Sequence, residues 1–430
     1  MTDMFDIAAK ILDGGTPQLA ERQTNFQLTE LIEGIARVQA FSLSIIFKTE
    51  QGLVVIDTGL KAHGKPIVKA IRSWSEDPFH TLIYTHGHVD HVGGSGDFWD
   101  DAKSKNNTLK NIIGHKNVLR RFERYRFTDG FNKVINLRQM SQAPNLDLAE
   151  SGEALFLDKS VLFPNITYSN HFSIKIGELT FDLHHAKGET DDHTWVWIPE
   201  RRVICPGDLF IWVFPNAGNP QKVQRYPLEW VQALREMAGM GAEYCLPSHG
   251  WPIKGKERIR NAFLEVADAL DKLVNDTLEM MNNGATLNEI IHNVKVDKQT
   301  LSKGYLTPIY DEPEFIVNNI WRLYGGWYDG NPANLKPAKD TVLAAEIAAL
   351  AGGPEALALR AEKVAESSEL RLACHLIEMA YLADPKNRKV NSIRAEVYRQ
   401  RRESETSLMA RGIFGQAESQ SKMIAENKTD

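Results

Sequence analysis

The chain has 430 residues, enough for two domains that each bury a core, and its 43% hydrophobic and 25% charged content is typical of a folded globular protein. A net charge of −6 argues against nucleic acid or an anionic membrane as the main partner. The three cysteines do not suggest a disulfide framework, and no stretch approaches the roughly 20 apolar residues of a membrane span. The start also lacks a basic, apolar leader, so we expect a cytoplasmic protein.

The first elements in chain order are a short N-terminal cap over residues 1–40 and a β-hairpin. Two apolar runs, 41–47 and 52–59, predict the hairpin, which ends in an acidic turn at Asp57. From there to about residue 260, short apolar runs alternate with helical segments, a pattern that indicates an α/β domain.

The most informative stretch follows the apolar run 81–84, which predicts a buried strand that leads into a loop. This loop carries His86, His88, Asp90 and His91, followed by two glycines. In such a loop the first two histidines can bind one metal while Asp90 and His91 turn toward a second. Imidazole and carboxylate ligands suit zinc, and they also suit iron or manganese.

The spacing of these residues resembles the metallo-β-lactamase superfamily, which implies an αββα sandwich. The resemblance implies that Asp57 supports the metal loop, that Asp208 bridges two metals and that His249 is the last ligand. Glu189 stands in Gly188-Glu189-Thr190, where most members place a histidine, and His193 is the rival ligand.

The predicted centre therefore holds two zinc ions, with iron or manganese as alternatives. The ligands expected for the first metal are His86, His88 and Glu189. Those expected for the second are Asp90, His91 and His249, with Asp208 between the two metals.

Two features resemble the alkylsulfatase branch of the superfamily. One is the glutamate at position 189, and the other is the segment 324–335, which is similar to the start of the alkylsulfatase dimerisation domain. The resemblance covers residues 41–415. We expect no counterpart of the C-terminal sterol-carrier-like domain that those enzymes carry. It implies that Asn216 binds the sulfate, whereas the position of the family's arginine falls near Gln221. Lys222 and Arg225 are the candidates to replace it.

We therefore expect a catalytic domain over residues 41–285, a helical dimerisation domain over 286–415 and a polar tail over 416–430. Helices are predicted from about 340 to 351, 354 to 366, 369 to 383 and 387 to 403, with breaks at Gly352-Gly353-Pro354 and at Ala383-Asp384-Pro385. Paired helices of this kind resemble tetratricopeptide hairpins, although no firm 34-residue repeat is present. The resemblance implies a homodimer.

The expected reaction is hydrolysis of alkyl sulfate esters to an alcohol and inorganic sulfate, by a water molecule that the metals activate. Asp90 and His193 are the candidate catalytic residues, and a tyrosine near Tyr125 is a second candidate for the general acid. The main alternative is a hydrolase of another ester class, namely a lactone, thioester or phosphoester. A redox di-iron protein and a metal-stabilised scaffold that binds partners are the remaining alternatives.

Overall fold

A seven-stranded mixed sheet forms the first layer of the protein, for which a computed structural model describes residues 3–14, 24–140 and 155–426. Its strands lie side by side in chain order, antiparallel from β1 to β4 and parallel from β4 to β7. They are β1 (Leu28–Ile32), β2 (Ile35–Val38), β3 (Ser44–Thr49), β4 (Gly52–Ile56), β5 (Phe79–Ile83), β6 (Asn111–His115) and β7 (Ile166–Tyr168). The predicted hairpin is the β3–β4 pair, and the predicted strand before the metal loop is β5.

A six-stranded sheet packs against the first. Its spatial order is β13-β12-β11-β10-β9-β8, and its strands are β8 (His171–Ile176), β9 (Leu179–Ala186), β10 (His193–Ile198), β11 (Val203–Cys205), β12 (Tyr244–Cys245) and β13 (Ile253–Lys254). One core cluster takes apolar side chains from both sheets, among them Phe47 and Phe181, whose rings meet edge to face. The two sheets therefore face each other across a shared core.

Helices cover the outer face of each sheet. They are α1 (Met4–Leu12), α2 (Gly64–Arg72), α3 (Val89–Val92), α4 (Ser95–Ser104), α5 (Lys116–Phe127), α7 (Pro227–Gly239) and α8 (Lys256–Asn282), whereas α6 (Asp129–Met140) packs mainly against the last described helix of the chain. A second cluster joins the first sheet to α2 and α4, and a third joins the second sheet to α7 and α8. This layering confirms the predicted αββα sandwich.

The rest of the described chain is helical. Its elements are α9 (Leu287–Asn293), α10 (Lys298–Leu301), α11 (Pro313–Gly325), α12 (Pro332–Leu335), α13 (Asp340–Leu350), α14 (Pro354–Glu366), α15 (Leu370–Ala383), α16 (Arg388–Glu403) and α17 (Leu408–Ala425). Residues of α13 to α17 share one core cluster. The predicted all-helical second half is thus confirmed. Within the described residues no single helix is long and apolar enough to cross a bilayer, and only α13 with α14, bent by 83°, passes that test as a pair.

Both ends of the chain differ from the sequence-based expectation. The segment expected to be a separate cap contributes β1 and β2 to the first sheet, because their backbones pair with the edge that β3 would otherwise expose. The segment expected to be a polar tail is helical to Ala425. The polar composition of this segment suggested an exposed tail, but Glu418 is buried and paired with Arg402 and Lys422. Residues 1–2, 15–23 and 427–430 lie outside the described part of these segments.

Candidate metal centre

The backbone of the loop after β5 packs closely against neighbouring side chains. This packing brings the candidate metal-binding side chains of the loop together. His86 and His91 are fully buried, and α3 turns His91 back toward the strand end. Gly87 lies between the histidines, where an added Cβ would lie 2.9 Å from Arg121 Cδ and 3.0 Å from Asp192 Oδ2. Any larger residue at this position would push the loop away from its support.

Three further strand ends supply the remaining candidates. Glu189 follows β9, Asp208 lies in a one-turn 3₁₀ helix after β11, and His249 follows β12. The side chains form two groups whose ligand atoms lie within 4.8 Å of one another in each group: His86, His88, Glu189 and Asp208, and Asp90, His91 and His249. Every residue predicted to bind metal is therefore in one of the two groups.

The separations inside the first group match a shared cation better than direct hydrogen bonds. Glu189 Oε2 lies 3.7 Å from His86 Nε2 and 3.6 Å from His88 Nδ1. Ligands about 2.0–2.2 Å from a tetrahedral zinc would be roughly 3.3–3.6 Å apart. The two histidines are closer to each other, with 2.8 Å between His86 Nε2 and His88 Nδ1.

Asp208 lies between the two groups. One of its oxygens, Oδ2, is 3.9 Å from His86 Nε2 and 3.4 Å from His91 Nε2, and the other, Oδ1, is 3.5 Å from His249 Nε2. Asp90 Oδ2 faces the same two imidazoles of the second group, at 3.4 Å from His91 and 3.6 Å from His249. This arrangement is the one expected of a carboxylate that bridges two cations.

Buried ligand atoms without a hydrogen-bond partner give the strongest indication that a cation belongs here. They are His91 Nε2, Glu189 Oε2 and Asp208 Oδ1, each buried and unpaired within the described part of the chain. An orphaned buried polar atom is costly, and three of them facing the same space are readily explained by a bound ion. The residues present therefore fit a metal centre.

The pKa values of the histidines are consistent with this fit. Burial holds the pKa values of His86 and His88 well below the ordinary value, so both imidazoles are neutral and able to bind a metal. His91 differs: burial opposes its protonation, but Asp208 and the neighbouring carboxylates raise its pKa well above the ordinary value. The same carboxylates that attract a proton to this position would attract a metal cation in its place.

Asp57 supports the metal loop as the resemblance implied. Its Oδ2 lies 2.7 Å from His91 Nδ1 and accepts hydrogen bonds from Thr85 Oγ1 at 2.8 Å and Ser248 Oγ at 2.9 Å, and its Oδ1 accepts from the Thr85 amide at 2.9 Å. The residue has a φ of 60°, a strained conformation for a non-glycine residue. The carboxylate thereby links the β5 end, the metal loop and the loop that carries His249.

His193 is buried behind the ligands and does not line the cavity beside them. Its ring stacks on that of His86 with centroids 4.8 Å apart, and its Nε2 accepts a hydrogen bond of 3.0 Å from the Asp208 amide. Burial lowers its pKa to about 4, so it is neutral near pH 7. His193 thus lies outside both ligand groups with its Nε2 engaged by the Asp208 amide, and its role as a proton donor stays a prediction.

Two supporting residues were missed in the sequence. Arg121 Nε donates to Asp192 Oδ2 at 2.7 Å, and the same oxygen accepts from the Gly87 amide at 3.1 Å. Burial opposes the charge on Asp192, but Arg121 holds its pKa well below the ordinary value. The pair fixes the backbone between His86 and His88. Arg121 lies in the arginine-rich stretch 120–126, where burial alone distinguishes it from the other three arginines.

A cavity of about 170 Å³ opens beside His88 and Glu189. The described residues that line it include four cations and several apolar or aromatic side chains: Arg121, Arg124, Lys222, Arg225, Tyr125, Phe131, Ile135 and Val223. This composition suits a ligand with an anionic group at one end and an apolar group at the other.

Two of the predicted anion-binding residues, Lys222 and Arg225, line this cavity, whereas Asn216 contacts its wall through Glu189. Arg225 Nη1 is 3.0 Å from Glu189 Oε1, and the Asn216 amide donates to the same oxygen. Lys222 donates to Asn136 Oδ1 at 3.0 Å, and burial, with a further effect of Arg225, lowers its pKa to about 8. Gln221 also lines the cavity. Asn216 thus contacts a predicted metal ligand directly, a contact the sequence did not reveal.

An αββα sandwich with histidine and carboxylate groups at its strand ends defines a metal-dependent hydrolase. Family comparisons agree: residues 38–249 match the metallo-beta-lactamase superfamily, and residues 286–423 match the alkyl sulfatase dimerisation domain. The chain therefore combines a metallo-beta-lactamase domain with an alkyl sulfatase dimerisation domain.

Relatives in this branch cover most of the chain at low identity. A linear primary alkylsulfatase of a Pseudomonas species is 23% identical over 82% of this chain and 69% of its own length. An alkyl/aryl-sulfatase of Saccharomyces cerevisiae is 23% identical over 87% of this chain, and an (R)-specific secondary alkylsulfatase of a Pseudomonas species is 24% identical over 83%. The chain spans 60% and 56% of those two proteins.

A solved structure of a stereoselective inverting secondary alkylsulfatase from a Pseudomonas species has the same fold. It aligns with a TM-score of 0.78 and 19% identity, covering 96% of this chain and 70% of that protein. The likeness extends over the sandwich and the helical half together.

Proposed function

We propose that the protein hydrolyses alkyl sulfate esters to an alcohol and inorganic sulfate at a dinuclear metal centre, with zinc as the resident metal. The observation that carries the proposal is the cation-lined cavity, which adjoins His88 and Glu189 and has apolar side chains on its wall. Its chemistry matches a sulfate group joined to an alkyl chain, and the curated relatives above are alkylsulfatases.

The proposed ligand set has three residues for each metal and one between them. His86, His88 and Glu189 would hold the first metal, and Asp90, His91 and His249 the second, with Asp208 as the bridge. Divalent metals in such a site supply Lewis-acid polarisation and lower the pKa of water. Asp57, Asp192 and the buried His193 fix the orientation of these ligands.

The sulfate would be held by charge and hydrogen-bond donors at the cavity wall. Arg225 is anchored through Nη1 on Glu189, while its buried Nε–H has no acceptor among the described residues. A buried donor without an acceptor is available to an anionic ligand. Lys222 adds a second positive charge below about pH 8. Asn216, whose amide donates to Glu189, would act mainly by orienting that carboxylate.

We also propose a homodimer that is located in the cytoplasm. The matched dimerisation domain supports the first part, together with exposed apolar residues on the helical half such as Trp327 and Leu350. The three free cysteines, two of them buried, are compatible with a reducing compartment.

A substrate panel tests the activity. Purified protein with measured metal content is incubated with short and long alkyl sulfates, a phosphomonoester, a lactone and a thioester. Release of inorganic sulfate by the wild type, and its loss in a folded His88→Ala variant, would support the proposal. Turnover of one of the other esters without any sulfate release would contradict it and assign the site to another ester class.

A further inference from the structure

The loop that carries the proposed sulfate-binding residues has no regular secondary structure. Residues 216–225 run from the 3₁₀ turn after β11 to the start of α7 without a helix or a strand. Asn216, Lys222 and Arg225 lie on this loop, and two of them are almost fully buried. Because no ladder of backbone hydrogen bonds holds it, its order has to come from other parts of the chain.

The helical half holds the loop near its beginning through Asp311, which is completely buried. Its Oδ2 accepts hydrogen bonds from the amides of Gly218 at 2.6 Å and Asn219 at 3.2 Å. Gly218 also packs against the start of α11, where an added Cβ would lie 2.3 Å from Ile316 N. Backbone-to-backbone contact of this kind leaves the loop almost no freedom to shift at this end.

Asn319, on the buried side of α11, holds the loop at its other end. Its Oδ1 accepts from the Arg225 amide at 3.2 Å, and its Nδ2 donates to the Arg225 carbonyl at 3.0 Å. One side chain thus makes both hydrogen bonds that a neighbouring β-strand would make with Arg225. Gln224 adds a third contact, because its Nε2 donates to the same Oδ1 at 3.0 Å.

We propose that Asp311 and Asn319 are positioning residues that clamp the anion-binding loop, so that the helical half completes the substrate site of the sandwich. This inference rests on the proposed function, because it assigns the loop to the sulfate group of the substrate. From this backbone position the Arg225 guanidinium contacts Glu189 and lines the cavity. Hydrogen bonds to both the N–H and the C=O of Arg225 set that position directly.

A matched pair of variants on α11 tests the clamp in the full chain. Asn319→Ala removes both hydrogen bonds to Arg225, whereas the adjacent Asn318 donates only within the helix, to Glu314 O at 2.9 Å. In Asn319→Ala we expect the KM for an alkyl sulfate and the Ki for inorganic sulfate to rise together by about tenfold. Metal content and kcat should stay within about twofold of the wild type, because no metal ligand contacts Asn319. Asn318→Ala should change neither constant.

Hydrogen exchange gives a measurement that does not depend on turnover. The amides of residues 216–225 should exchange faster in Asn319→Ala than in Asn318→Ala, while those of the metal loop keep their protection. Unchanged loop exchange would overturn the clamp, as would faster exchange with unchanged KM and Ki. If Asn319→Ala does not fold, Asn319→Asp keeps the acceptor for the Arg225 amide, replaces the donor by a carboxylate oxygen and adds a negative charge beside Arg322, and the same two outcomes apply.

Failure of the proposed function would give a different result from failure of the clamp. In that case the wild type would release no sulfate from any ester, while the exchange comparison would still decide whether Asn319 orders the loop.

A second pair of variants extends the test to the beginning of the loop. Asp311→Asn removes one acceptor from Gly218 and Asn219, whereas Glu314→Gln loses only the ion pair with Arg371. Higher sulfate Ki in both variants, or in neither, would contradict a specific role for Asp311.

Discussion

The metal centre and the anion-binding loop lie side by side, yet they are held in place in different ways. Each metal-binding group follows a strand end, and Asp57, Thr85 and Ser248 join those ends by hydrogen bonds within the sandwich itself. The loop at 216–225 has no strand or helix of its own, and its two ends are fixed by Asp311 and Asn319 of the helical half. The proposed metal ligands therefore lie in the sandwich alone, whereas the proposed anion site is held by contacts from both halves.

The largest effect is expected from removing the carboxylate between the two ligand groups. Asp208→Asn should lower metal content and reduce kcat/KM by about 10³-fold or more, because the metals supply several kcal/mol of transition-state stabilisation. Elemental analysis and steady-state kinetics measure both. Asp182→Asn, on β9 and remote from the ligand groups, is the control and should behave as the wild type. Full activity in Asp208→Asn would remove the bridge from the proposal.

A smaller effect is expected from the carboxylate that orients His91. Asp57→Asn retains the shape of the side chain but weakens its bonds to the imidazole and to Thr85. We expect metal affinity or kcat to fall by about 10- to 100-fold. The Ki for inorganic sulfate should change far less than in Asn319→Ala, which would sharpen the distinction between the two regions. A metal titration with a competing chelator provides the measurement.

The pH dependence of substrate affinity tests whether the charge of Lys222 contributes to binding at the proposed anion site. Burial lowers the pKa of Lys222 to about 8, so the side chain is charged below that pH and neutral above it. As the pH rises through about 8, the KM for an alkyl sulfate should increase, by roughly three- to fivefold. Lys222→Arg keeps its charge over this range and should show a flat KM. An equal rise in both proteins would assign the titration to another group.

The smallest effect on activity is expected from the outer surface of the helical half. Leu350 has 89% of its surface exposed, and Val342 and Leu343 on the same helix are exposed as well, a grouping of apolar side chains that favours a contact surface. If it lies in the dimer interface, Leu350→Asp should shift the mass measured by light scattering toward the monomer. Activity per protomer should stay within about twofold, because the clamp on the loop lies within one chain. Dimers that persist in the variant would place the interface elsewhere.

Much of this protein could be predicted from short stretches of its sequence. The spacing of His86, His88, Asp90 and His91 after an apolar run indicates a metal loop, because a strand that ends in such a loop presents these side chains together. The helices from 340 to 403 were predicted to within one residue at each end, helped by the glycine and proline residues at 352–354 and 385. The strands at 28–38 were missed, because β1 is only partly buried and carries no strong alternation.

What the sequence by itself determined is the local chemistry: which side chains are able to bind a metal, and where many of the strands and helices begin and end. Only the tertiary structure decided which distant groups meet. The Arg121–Asp192 pair joins positions 71 residues apart, and the Asn319–Arg225 pair joins positions 94 apart. Such contacts leave no periodic pattern in the chain, because an asparagine on a helix has the same local preferences whether it faces water or a buried loop. Burial, which depends on the whole fold, makes the difference.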